Sequence, residues 1–312
     1  MTNYIILALC LIIIVAYFFD ITSKYTKIPG VGMLILLGIG IQILVENTGF
    51  IMPNMEPLLP VIGTLGLILI VMEASLDIKL KKEKTGLVLK SIFSAVFLFA
   101  FFVTILTIVM VYLMNYPVIE SMINAIPLGI ISSAVAISSS AHLEADQKEF
   151  IIYESSFSDI IGILAFDFIL INQNAIGWGL LHFTLQGLLT VVLAAVITSV
   201  LAILLHKINY HINYVIILTY VVTVYALAKL IHLPALFLVL VFGIALSNSQ
   251  LVENTFIKRY VEFEKFRNDV ESFRKILREL TFIVRSFFFI MFGYYTSLGG
   301  LFNFRNIMWI HT

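Results

Sequence analysis

Three carboxylic acids, Glu154, Asp159 and Asp167, stand in the apolar segment YESSFSDIIGILAFDFIL (153–170), with Ser155, Ser156 and Ser158 between them. A charged side chain at the centre of a bilayer costs about 2.5–3.5 kcal/mol on insertion scales, so an acid kept there marks a functional site. Desolvation disfavours the ionised form of such a group. The carboxyl can then hold a proton or a cation, but hardly both. Competition of that kind at one moving carboxylate is sufficient for proton-coupled exchange. Asp159 and Ser155 are four apart and share a helix face. A hydroxyl and a carboxylate on one face offer hard oxygen ligands suited to a small cation. Ser158 lies next to Asp159, about 100° round the helix. Glu154 lies near the cytoplasmic end of the segment, within reach of a basic partner. Asp167 follows Asp159 by eight residues, about 12 Å along the axis. It is either a second relay group or an acid near the outer interface facing water, and the second reading is favoured.

The elements that position these residues are membrane spans. Of the 312 residues, 61% are hydrophobic and only 12% charged, and the mean hydropathy is +1.05. Soluble domains are about half apolar and a quarter charged. The composition predicts an all-α polytopic membrane protein. Stretches of suitable length predict about ten transmembrane helices, near 4–20, 28–45, 57–76, 86–114, 123–141, 149–171, 177–206, 213–231, 233–248 and 280–298. The N-terminal stretch lacks an early basic residue and a small-residue cleavage site, and reads as a first span. The loops after spans one, three, five, seven and nine hold every lysine and arginine except Lys229, Arg285 and Arg305. By the positive-inside rule these loops are cytoplasmic and the N-terminus is outside.

Segment 249–279 differs, being charged, with Phe256, Tyr260, Phe263, Phe266, Val270, Phe273 and Leu277 at three- and four-residue steps. This pattern predicts an amphipathic linker helix on the cytoplasmic membrane surface, either a connector or a regulatory element. The chain thus divides into a transport domain over 1–248, the linker over 249–279 and a last part over 280–312. A net charge of zero gives no basic field for nucleic acid. One cysteine, Cys10, excludes an internal disulfide and a thiolate metal cluster. No HExxH or GxSxG motif is present, and no TVGYG filter, so neither an enzyme nor a potassium-type channel is expected. No cofactor is expected.

Six segments, in order, resemble the cation–proton antiporter superfamily, the sodium/proton exchangers. ESSFSDIIGIL (154–164) resembles the family's ES-x-x-(N/D)-D helix. TKIPGVGMLILLGIGIQIL (26–44), LGLILIVMEASLDIKLKK (65–82), IPLGIISSAVAISSS (126–140), LPALFLVLVFGIALSN (233–248) and LTFIVRSFFFIMFGYYTSL (280–298) are similar to its other marked helices. The resemblance implies the inverted-repeat antiporter fold and a secondary transporter that exchanges a monovalent cation for H⁺. Na⁺ is the first candidate cation, with K⁺ or Li⁺ also open. It implies that Asp159 binds the ion (Na⁺) or the proton and that Ser155 helps to ligate the cation. Ser158, a candidate ion-binding residue, stands where the family has Asn or Asp; a hydroxyl cannot ionise, which implies electroneutral exchange. The family's broken-helix T-D-P motif aligns with Ser132, Ser133 and Ala134, so Ser133 is the candidate ligand there, without the motif's Asp or Pro. Glu154 matches an acid that usually pairs with an arginine, and Glu73 an acid of the third helix. Arg285, the basic residue well inside a span, either pairs with Glu154 or Asp159 or snorkels to the interface.

The same resemblance implies a homodimer in the cell (plasma) membrane. Gly30, Gly32, Gly38 and Gly40 permit close helix approach, either to a second copy or within one monomer. The family's second core repeat continues past the position of Thr312, so that repeat is expected to be incomplete here. The alternative reading is therefore a truncated, non-transporting remnant or a subunit needing a second chain to complete the core.

Overall fold

The computed structural model describes residues 2–26, 30–48, 54–78, 84–131, 136, 140, 143–171, 176–207, 213–231, 233–248 and 263–296. Among these the secondary structure is ten α-helices and one 3₁₀ turn, with no strand. The helices are α1 (Thr2–Thr26), α2 (Gly30–Thr48), α3 (Leu59–Asp77), α4 (Thr85–Met114), α5 (Val118–Gly129), α6 (Ala145–Ile171), α7 (Ile176–Lys207), α8 (Asn213–Leu230), α9 (Ala235–Ser247) and α10 (Phe263–Tyr295). By length and composition α2, α3 with its leading 3₁₀ turn, and α4 are each apolar and long enough to cross a membrane. Leucine, phenylalanine and valine at 40–80% exposure along α4 suit a lipid-facing surface.

The chain forms two compact units, residues 1–70 with 275–312, and residues 71–274. In the first, α1 pairs with α2. Ala16, Leu34 and Ile290 form its buried centre, ringed by Ile12, Phe19, Leu37, Ile41, Phe282 and Phe289. Here α2 and α10 touch backbone to backbone. A Cβ on Gly38 would strike the Ile290 carbonyl and stand 2.8 Å from the Tyr294 nitrogen and 3.0 Å from Gly293 Cα. A Cβ on Gly293 would in turn strike the Ile35 carbonyl. Gly63 and Gly66 bring α3 against Phe288 and Val284 of α10. Gly32 and Gly40 meet nothing within 4 Å. Of the two uses open to these glycines, Gly38 serves packing inside the monomer.

In the second unit α4, α5 and α6 pack around Phe99, Val103, Ala125, Ile126 and Ile169. A second cluster, Ala194, Val224, Ala228, Leu233, Ala235 and Leu238, joins α7, α8 and α9. α9 also packs against α6. The end of α3 is fastened by side chains that serve its orphan carbonyls. Ser247 Oγ donates to the Leu76 carbonyl at 2.8 Å, and Asn248 Nδ2 to those of Ile78 and Ile244 at 2.8 Å. Gly243 leaves room for the Ser75 hydroxyl. Arg274 pairs with Asp77 and reaches Glu271 at 3.5 Å. Lys84, just before α4, pairs with Glu149 of α6, with Asp146 at 3.5 Å. Its hydrogen bond to the Glu149 carboxylate holds the ammonium above lysine's ordinary value. Asn115, at φ 55°, closes α4 in the left-handed conformation that asparagine tolerates.

Two expectations change. The fifth span was expected over 123–141, with the family's broken-helix motif aligned at 132–134; α5 runs from Val118 and already ends at Gly129, where Ile130 turns extended (φ −78°, ψ 127°). The amphipathic stripe was expected to face the membrane surface. Its described part is spent on packing within the protein instead: Phe266, Val270, Phe273 and Leu277 are all buried. No break separates 279 from 280, since α10 runs unbroken from Phe263 to Tyr295. Phe256 and Tyr260 lie outside the described residues.

Candidate functional site

The site begins where α5 ends. This helix has 12 residues, about 18 Å at 1.5 Å each, too short for a hydrocarbon core of about 30 Å. Pro127 lies inside it and can donate no hydrogen bond to the Ile123 carbonyl. A helix end leaves its last four carbonyls without intrahelical donors. Non-helical backbone at membrane depth is tolerated only where protein buries it or a cavity lies beside it. Protein surrounds this break on two sides. A Cβ on Gly129 would stand 2.8 Å from Val103 Cγ2 and 3.3 Å from Phe99 Cδ2, so α4 presses on the last residue of α5. On the other side the Ile131 N–H donates to Ser158 Oγ of α6 at 3.1 Å.

On α6, Ser155 and Ser158 are fully buried, Glu154 is buried at 7% exposure, and Asp159 is half-buried. Ser155 Oγ donates to the Ile152 carbonyl at 3.2 Å, and Ser156 Oγ to the same carbonyl at 2.7 Å. That bond uses the proton of the Ser155 hydroxyl. Ser158 has one lone pair committed to Ile131. One carboxylate oxygen of Glu154 is buried without a hydrogen-bond partner among the described residues. Asp167 is half-buried, and Lys229 at the end of α8 acts on it electrostatically.

The structure therefore brings Ser158 to the break, with Asp159 next to it in the chain and Ser155 buried one turn earlier on the same helix. Glu73 is half-buried on α3, beside Met72, whose sulfur lies close to Gly243. Arg285 is half-buried on α10 in the other unit. Ser133 lies outside the described residues. The motif aligned with Ser132, Ser133 and Ala134 lies outside the described residues, and α5 ends before it, at Gly129. The sequence signals for this helix end are Pro127, which weakens the last turn, and Gly129, which admits the Val103 and Phe99 side chains.

A short apolar helix that ends beside a helix carrying buried hydroxyls and an acid fits a polytopic ion-transport protein. The comparisons with known proteins identify which. The family described as the sodium/hydrogen exchanger, transmembrane, matches residues 8–311, and the chain belongs to that family. Its fold is similar to that of the sodium proton antiporter MjNhaP1 from Methanocaldococcus jannaschii at pH 8, with a TM-score of 0.69 and 16% identity over 98% of this chain and 74% of that one. An electron-microscopy structure of MjNhaP1 gives a TM-score of 0.66, again at 16% identity, over 94% of this chain and 70% of that one. A search of curated proteins returns no match.

Proposed function

We propose that this protein exchanges Na⁺ for H⁺ across the cell membrane by alternating access, with the two ions competing at Asp159. Membership of the exchanger family supports cation–proton exchange. The observation that carries the site is the meeting of the α5 break with α6 at Ser158, one residue from Asp159. The carbonyls at the end of α5 carry the negative end of the helix dipole, which favours a cation. Ser155, one turn before Asp159, is the hydroxyl ligand in this reading, and Ser133 the second candidate. Glu154, Glu73 and Arg285 are supporting charges. Ser158 holds no second acid at this position, so one proton moves per cation and the exchange is electroneutral. The N-terminus is outside, and the protein works as a homodimer in which Gly32 and Gly40, open in the monomer, are available to a neighbouring helix.

The test is proton flux in proteoliposomes with a preset pH gradient, adding Na⁺, K⁺ and Li⁺ in turn. Na⁺-dependent proton release at a rate unaffected by clamping the membrane potential is expected. A rate that follows the potential would remove electroneutrality, and no cation dependence would remove the exchanger reading.

A further inference from the structure

Three consecutive residues at the break, Gly129, Ile130 and Ile131, are gripped from two sides. Gly129 is held by Val103 and Phe99 of α4, as described above. The side chain of Ile130 occupies the space where a Cβ on Gly162 would stand, with Phe99 Cε2 3.7 Å from that point. The N–H of Ile131 is held by Ser158 Oγ at 3.1 Å. Ser158 and Gly162 are four apart, on one face of α6. That face offers an acceptor for one residue of the break and a hollow for the residue before it.

We propose that Ser158 and Gly162 form a seat that fixes the non-helical turn after α5 against the ion-binding helix, which makes Ser158 a positioning residue and not a cation ligand. The proposal rests on the reading of Asp159 as the exchange site. The chemistry favours it because a hydroxyl has two acceptor sites and one of Ser158's is taken by Ile131. Ser158 also sits next to Asp159 in the chain, so a shift of the break at Ile131 passes to the carboxylate through one peptide. Gly162 supports the same turn with no atom able to bind an ion. The two positions should then behave alike in transport, although only one of them carries oxygen.

Two measurements on the full chain decide this. In proteoliposomes, Ser158→Ala is expected to raise the cation concentration for half-maximal flux about fivefold, the equivalent of one hydrogen bond. The maximal rate is expected to stay, and the rise to be the same for Na⁺ and Li⁺. Ser158→Thr, which keeps the acceptor oxygen, restores the wild-type value. Gly162→Ala, which pushes Ile130 out of its hollow, reproduces the Ser158→Ala phenotype. A change in Na⁺ over Li⁺ preference on Ser158→Ala, with Gly162→Ala behaving as wild type, would overturn the seat in favour of direct ligation. The second measurement is hydrogen exchange at the Ile131 amide, which needs no transport. Protection in the wild type and its loss in Ser158→Ala are expected; equal exchange in both overturns the proposal. Absence of cation-dependent flux in the wild type would count against the proposed function, and the amide exchange would still decide the seat.

Discussion

Asp159→Asn is expected to reduce Na⁺-driven proton flux to the rate of protein-free vesicles while leaving the protein folded. The amide has the shape of the carboxyl but neither binds a proton in the working range nor carries the charge that draws a cation. Asp159→Glu keeps the charge on a longer arm and is expected to retain flux at a higher half-saturating Na⁺ concentration. Stopped-flow fluorescence with a trapped pH dye reads both variants. Unchanged flux in Asp159→Asn would remove Asp159 from the exchange step and direct attention to Glu154, whose carboxylate is the more deeply buried of the two.

Gly38→Leu is expected to give the largest loss of stability in the first unit. The Cβ would meet main-chain atoms of Ile290, Tyr294 and Gly293, not the end of a flexible side chain. Neither helix can yield by a rotamer change, so α2 and α10 must separate. Overpacking of this kind costs about 1–3 kcal/mol, and more where backbones collide. Gly86→Leu, at the exposed start of α4, meets nothing within 4 Å and is expected to shift stability by no more than about 0.5 kcal/mol, as for an ordinary surface change. Thermal unfolding in detergent compares the two. Equal losses would contradict the α2–α10 contact.

The helical architecture was legible because hydropathy is nearly continuous. Runs of apolar residues the length of a bilayer leave little choice of element, and α4 and α7 lie within a residue of their expected bounds. The acid-bearing helix was legible for the opposite reason, since Glu154, Asp159 and Asp167 are out of place among leucines and phenylalanines. The break was less legible. The family resemblance aligned the broken-helix motif with 132–134, which lie outside the described residues, while the helix already ends at Gly129. It stops there because Pro127 weakens the last turn and because α4 and α6 close on Gly129 and Ile130, contacts between segments far apart in sequence. What covers the apolar stripe of the linker was ambiguous in a related way. A stripe of Phe266, Val270, Phe273 and Leu277 has the same period whether lipid or protein covers it. Here protein does. Gly38 could not be separated from Gly40 by sequence, because only the neighbouring helix distinguishes them.

The central claim is that one proton leaves Asp159 for each cation that arrives. Titrating Na⁺ into the detergent-solubilised protein by calorimetry, in two buffers of different ionisation enthalpy, measures the protons released per ion bound. One proton per Na⁺ in the wild type, with neither binding nor release in Asp159→Asn, is the result this account requires. Na⁺ binding with no proton released, or release that persists in Asp159→Asn, would contradict it.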